Sequence, residues 1–185
     1  MRRAEPPSRD ARRPAPLPGP ALVCVLIAAA WVAGSLPAEA RVKEIVGRVE
    51  LARIYPSGLI LRTKMDTGAR TCSLNAPKLS VFTRDGEQWA RFKLTNHKGR
   101  TITIERKVLR TGKIKEQNQR LEKRPVILLG ICVGRLYREV EVNLVDRSDF
   151  NYQLLIGRNY LEGELLVDTE LKYTHEPQCF GAGTP

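Results

Sequence analysis

The sequence predicts an all-β fold with one short helix near the C-terminus. Three observations carry this. Short runs alternate apolar and polar residues, and Gly, Pro, Asn and Asp clusters separate them. No stretch sustains helical periodicity over about eleven residues. The 185 residues give room for one domain with a real core and are too few for two comfortable ones.

Residues 1–40 stand apart. Arg2, Arg3, Arg9, Arg12 and Arg13 form a basic start, Ala21 to Leu36 is an apolar run, and Ala38-Glu39-Ala40 is a small-x-small pattern. These are the parts of a secretory signal peptide cut after Ala40, which places residues 41–185 in the periplasm or outside the cell. The apolar run falls short of the roughly 20 residues that a membrane span needs, so no stable span is expected after cleavage.

The remaining elements follow in order. Glu44 to Ile54 alternates as a strand, with Val46, Val49 and Leu51 as core positions, and Pro56-Ser57-Gly58 turns the chain. Leu59 to Met65 is the next strand. Leu79 to Thr83 and Trp89 to Thr95 flank Arg84-Asp85-Gly86, a hairpin signal. Asn96-His97-Lys98-Gly99 leads into Thr101 to Ile104. Val126 to Val133 and Leu136 to Val145 join across Gly134-Arg135, a helix opens at Arg158, and Val167-Asp168-Thr169-Glu170 reads as a C-terminal strand. Between Ile104 and Val126 lies a long polar, basic stretch, 105–120, which reads either as a solvated surface loop or as a hairpin over a site.

Two segments carry chemistry. Asp66-Thr67-Gly68-Ala69 follows the strand Leu59 to Met65, and Leu154-Leu155-Ile156-Gly157-Arg158-Asn159 follows much later. Asp66 supplies a carboxylate that can activate water, the Thr67 hydroxyl can hydrogen-bond to backbone and pin the loop, and Gly68 allows a φ and a close approach that a Cβ would block. In this order the two segments resemble the retropepsin family of aspartic proteases. They are closest to its bacterial branch, often labelled ATP-dependent zinc protease, which has a basic residue where this chain has Arg70. Arg70-Thr71-Cys72-Ser73-Leu74, Arg124-Pro125-Val126 and Leu166-Val167-Asp168 extend the likeness, over roughly residues 44 to 172.

The resemblance implies a retropepsin-like barrel in which the apolar-Gly strand packs beside the active-site loop and Arg158-Asn159 opens the helix. It implies Asp66 as the catalytic residue, Thr67, Gly68 and Ala69 as its loop, and Gly157, Arg158 and Asn159 as support. It also makes 105–120 a flap closing over substrate. Two carboxylates sharing one proton are needed for this chemistry. The chain has one Asp-Thr-Gly, and Asp168 lacks the following Gly. A homodimer giving one loop from each copy is therefore expected. Where viral retropepsins have a second Asp that pairs with the Arg of Gly-Arg-Asn, this chain has Arg70, so Arg158 must find another partner.

The formal charge of +11 favours acidic partners, or simply keeps a two-faced sheet soluble. No metal and no cofactor is expected. His97 and His175 form no ligand-spaced cluster with the cysteines, and no Gly-rich phosphate loop is present. Nucleic acid is not an expected partner, since export removes it and Trp89, Phe92 and Tyr137 make no evident stacking platform. Cys72, Cys132 and Cys179 leave the disulfide state open. The expected activity is an exported aspartic endopeptidase acting on a peptide or protein substrate. The alternative is a non-catalytic protein of the same fold that binds an acidic peptide or envelope component.

Overall fold

The computed structural model describes residues 42–115 and 121–179. The expected leader and its expected cleavage point, and residues 116–120 of the basic stretch, lie outside the described residues. Ten strands and one short helix follow in the order β1 (Glu44–Tyr55), β2 (Leu59–Met65), β3 (Cys72–Asn75), β4 (Ser80–Arg84), β5 (Glu87–Thr95), β6 (Thr101–Lys115), β7 (Leu121–Val133), β8 (Leu136–Val145), β9 (Leu154–Ile156), α1 (Arg158–Leu161) and β10 (Leu165–Lys172).

Six of the strands close a barrel in the order β1-β2-β9-β3-β8-β7, with β7 returning to β1. β7 makes closure possible by dividing its length. Leu121 to Ile127 pairs with β6, and Gly130 to Val133 pairs with β1. β6, β5 and β4 continue the sheet outward, while β10 lies parallel to β1 as an edge. The turns are built as their residues demand. Asp85 and Gly86 both take positive φ, 51° and 77°, the two-residue geometry whose twist matches a hairpin.

Alternation sorts each barrel strand into an inner and an outer face. Ile54, Leu61, Leu74, Ile131, Leu144 and Ile156 are among the side chains that fill the interior. Leu51 is not: it is half-buried, and Ala52 and Ile54 take the core positions instead. Val46, Ala52 and Ile54 share one parity along β1 and point into the core, while Leu51 has the opposite parity and so faces outward. The polar stretch after Ile104 also departs from the loop alternative, because β6 runs unbroken to Lys115 and pairs with β7 as a long arm.

Three ties hold the ends. The buried Glu50 carboxylate accepts from the Gly47 amide at 2.7 Å and from the Thr174 amide and hydroxyl at 3.0 and 2.6 Å. A Cys132–Cys179 disulfide fixes the C-terminal tail to β7, and Cys72 is a free, buried thiol. The fully buried Tyr160 ties α1 to the barrel: its hydroxyl donates to the Leu136 carbonyl at 2.7 Å and accepts from the Val133 amide at 3.0 Å. Tyr160→Phe leaves that amide without its acceptor in a dry site, and urea titration is expected to show a loss of about 2 kcal/mol; an unchanged midpoint contradicts this role.

Candidate active site

β2 ends by handing the chain to a loop, 66–71, that lies against β9. The Asp66 amide donates to the Ile156 carbonyl at 2.8 Å, continuing the parallel β2–β9 pairing by one step. The Asp66 carboxylate then turns back on its own loop. Oδ1 accepts from the amides of Gly68 at 3.0 Å and Ala69 at 3.1 Å. Among the described residues these bonds use only Oδ1, so Oδ2 is left to a ligand or solvent. Gly68 does not take positive φ. Its lack of a side chain matters because a Cβ would stand 3.2 Å from that same Oδ1.

The second segment grips the first. A Cβ on Gly157 would lie 2.6 Å from the Thr71 carbonyl carbon and 2.7 Å from its oxygen, so β9 and the loop can meet only with glycine here. The amides of Arg158 and Asn159 donate to the carbonyls of Ala69 and Arg70 at 2.9 and 3.0 Å. Arg158 finds its partner in backbone: Nη1 donates to the carbonyls of Thr67 at 3.0 Å and Gly68 at 2.8 Å. The loop is therefore pinned by Arg158 and by the Asp66 carboxylate. The Thr67 hydroxyl, expected to pin it, makes no hydrogen bond among the described residues, and Thr67 is exposed. Asn159 accepts from the Cys72 amide at 3.0 Å through Oδ1 and donates to the Glu141 carbonyl at 2.9 Å through Nδ2, joining the loop to β8.

Asp168 takes no part. It lies in β10 in register with Gly47, separated from β2 by β1, and accepts from the Glu170 amide at 2.8 Å. His97 sits exposed in the turn after β5, and His175 lies in the tail, 3.6 Å from Glu44.

Other residues of the site carry no sequence signal of their own. Register aligns Leu155, Ser73, Asn143, Val126 and Arg110 in one row across β9, β3, β8, β7 and β6. The first four are buried although this is the outer face, because the loop and the β6–β7 arm lie over it. Asn143 donates to Thr71 Oγ1 at 2.7 Å, and Gly112 on the arm comes so near that a Cβ would stand 3.2 Å from Asn143 Oδ1. Beside this row opens a cavity of about 830 Å³ lined by Arg70, Thr71, Arg110, Lys113, Glu141 and Asn159 among others. Three cations face one acid, and that acid is bound by Arg110, whose hydrogen bond holds the Glu141 carboxyl below its usual range. Asp66 is not among the lining residues. Polar residues at 143 and 141 between the inward Val142 and Leu144 are the one hint in the sequence that this outer face is used.

With the geometry in place, likenesses to other proteins can be set beside it. Residues 45–178 match the RimB-like family, described as retropepsin-like aspartic endopeptidase RimB. A solved structure of a Legionella pneumophila protein of unknown function is similar, with a TM-score of 0.61 at 34% identity, covering 72% of this chain and 98% of that one. A probable alpha-L-glutamate ligase of Shewanella halifaxensis is 35% identical over 130 residues, taking in 68% of this chain and 28% of the relative. One from Parasynechococcus marenigrum is 32% identical over 132 residues, 69% of this chain and 28% of the relative. The chain thus spans little more than a quarter of these curated relatives.

Two outcomes test the site's construction. Gly157→Ala forces the loop off β9 and is expected to cost about 3 kcal/mol in denaturant titration. Burial pushes the Cys72 thiol up to about 11 from 9.0, against the Gly157 amide, which donates to its sulfur. Iodoacetamide at pH 8 is therefore expected to spare Cys72 in the folded chain and label it after unfolding. Because the folded value is the higher one, this thiol's contribution to stability is complete below pH 9 and is lost as pH climbs toward 11. Rapid labelling of the native chain contradicts the burial.

Proposed function

The chain belongs to the RimB-like family of retropepsin-like aspartic endopeptidases, and from that membership we propose that it is an exported, homodimeric aspartic endopeptidase acting on acidic peptides, with Asp66 as its catalytic residue. The observation that carries the proposal is the Asp66 carboxylate itself. One oxygen is fixed by two amides of a rigid loop while the other is left to a ligand, as a group that must hold a water in one place requires.

In this reading the Asp66 residues of two copies face each other across a two-fold axis and share one proton. The ionised carboxylate takes a proton from water as the oxygen attacks the peptide carbonyl, and the protonated one gives its proton to the carbonyl oxygen. Collapse of the tetrahedral species returns a proton to the leaving amine and breaks the C–N bond. Thr67 and Gly68 are exposed, which suits a loop that meets its copy. The β6–β7 arm, which brings Arg110, Gly112 and Lys113 to the cavity, takes the part of a flap.

The substrate class rests on charge and on the relatives. Arg70, Arg110 and Lys113 around the cavity favour carboxylates. The curated relatives, named as probable alpha-L-glutamate ligases, contain a stretch similar to this chain, which supports glutamate-containing peptides as the substrate. A second reading, a non-catalytic binder of acidic peptides, draws on one observation: the basic cavity does not include Asp66 in its lining.

Asp66→Asn separates the two. The amide is nearly isosteric, so the fold is expected to persist while cleavage of glutamate-rich peptides falls about a thousandfold. Cleavage that survives the substitution, or that EDTA abolishes and zinc restores, contradicts the aspartic mechanism.

A further inference from the structure

Arg147 lies in the loop between β8 and β9, at the end of the buried row that begins with Leu155 and Ser73. Its backbone amide donates to Asn75 Oδ1 at 2.7 Å, which fixes the start of the loop against β3. Its side chain reaches back over the sheet. Nη1 donates to Ser73 Oγ at 3.1 Å, and the guanidinium carbon sits 4.4 Å from the centre of the exposed Phe150 ring. So the fork is oriented on one side by a buried serine and on the other by an aromatic face.

Among the described residues Arg147 has no carboxylate partner, unlike Arg84, Arg91, Arg110, Arg124 and Arg138, and what sets it apart is its buried donor. Its Nε is buried with no hydrogen-bond partner among the described residues. A buried donor left unmatched destabilises a fold, and a held cation without a counterion adds to that cost. Ser73, which holds the fork, pairs with Leu155, next to the Ile156 whose carbonyl takes the Asp66 amide, so Arg147 sits near the Asp66 loop. Burial and Arg124 weaken its hold on its proton, and Asp66 acts the other way.

We infer that Arg147 is a specificity-determining residue that binds the carboxylate of an acidic substrate side chain close to the scissile bond, in a subsite floored by Ser73 and walled by Phe150. The inference rests on the acidic-peptide reading above and adds a residue to it that is separate from the cations of the large cavity. A carboxylate there matches the planar fork and supplies the counterion that Arg147 lacks. Ser73 and Phe150 set the fork's orientation before substrate arrives, so less order is lost on binding.

Binding can be measured apart from cleavage in the full chain carrying Asp66→Asn, by fluorescence anisotropy with a labelled glutamate peptide and its glutamine counterpart. The glutamate peptide is expected to bind more tightly. Adding Arg147→Gln is expected to weaken it about tenfold and to leave the glutamine peptide within about twofold, with Arg147→Lys in between. Thermal melts confirm that each variant folds, and Ser73→Ala, which loses the orienting bond but keeps the charge, is expected to give a smaller effect of the same kind. Equal weakening of both peptides, or none, overturns the assignment of Arg147 while leaving the protease reading intact. If neither peptide binds, the acidic-peptide reading and this inference fall together, and wild-type cleavage of other peptides then shows whether the aspartic mechanism stands.

Discussion

At Gly157 the chain uses the absence of a side chain to bring two segments into backbone contact. The Thr71 carbonyl carbon lies 2.6 Å from where a Cβ would be, and everything that shapes the site follows from that closeness. Only at this distance can the amides of Arg158 and Asn159 reach the carbonyls of Ala69 and Arg70, and Arg158 reach Thr67 and Gly68. The loop is then held from one side by backbone and from within by the Asp66 carboxylate. In the proposed catalysis a carboxylate so placed has little freedom left to lose on binding water or substrate, which is the physical sense of preorganisation.

The closed barrel supplies the rigidity beneath this contact. Because β2, β9 and β3 are consecutive staves, the end of β2, the apolar-Gly turn and the start of β3 meet at one rim. Tyr160 and Asn159 then fasten the short helix to β7, β8 and the loop. A helix of one turn has no stability of its own, so its geometry is dictated by these side-chain bonds. The C-terminal tail is tied independently, through Glu50 and the Cys132–Cys179 disulfide, on the β1 and β7 side of the barrel.

Much of this is written locally, and the rest is not. Asp85-Gly86 and Pro56-Ser57-Gly58 announce their turns through φ preferences, and Asp66-Thr67-Gly68 with Ile156-Gly157-Arg158-Asn159 announce the site, because short-range geometry demands those residues. Leu51 misleads because Val46 and Val49 lie on opposite faces of β1, so an apolar residue at 51 fits either alternation, and only the pairing shows that Ala52 and Ile54 point inward. The polar residues after Ile104 leave a surface loop and a hairpin both open because β6 here is an arm with few buried side chains; its pairing with β7, not its composition, makes it a strand. Ser73, Asn143 and Arg147 become part of one surface only through the register of β3 with β8 and through the fold of the β8–β9 loop, so no spacing along the chain could have joined them.

The proposed catalysis makes each chain incomplete by itself, since one Asp-Thr-Gly loop supplies one carboxylate. That claim is tested most directly by measuring cleavage while wild-type chain is mixed with increasing Asp66→Asn chain, with sedimentation equilibrium on the same samples. The account predicts that activity falls below the value expected from dilution, as mixed dimers form, and that specific activity drops together with the dimer population at low concentration. A chain that sediments as a monomer and keeps full activity in the mixture would contradict it.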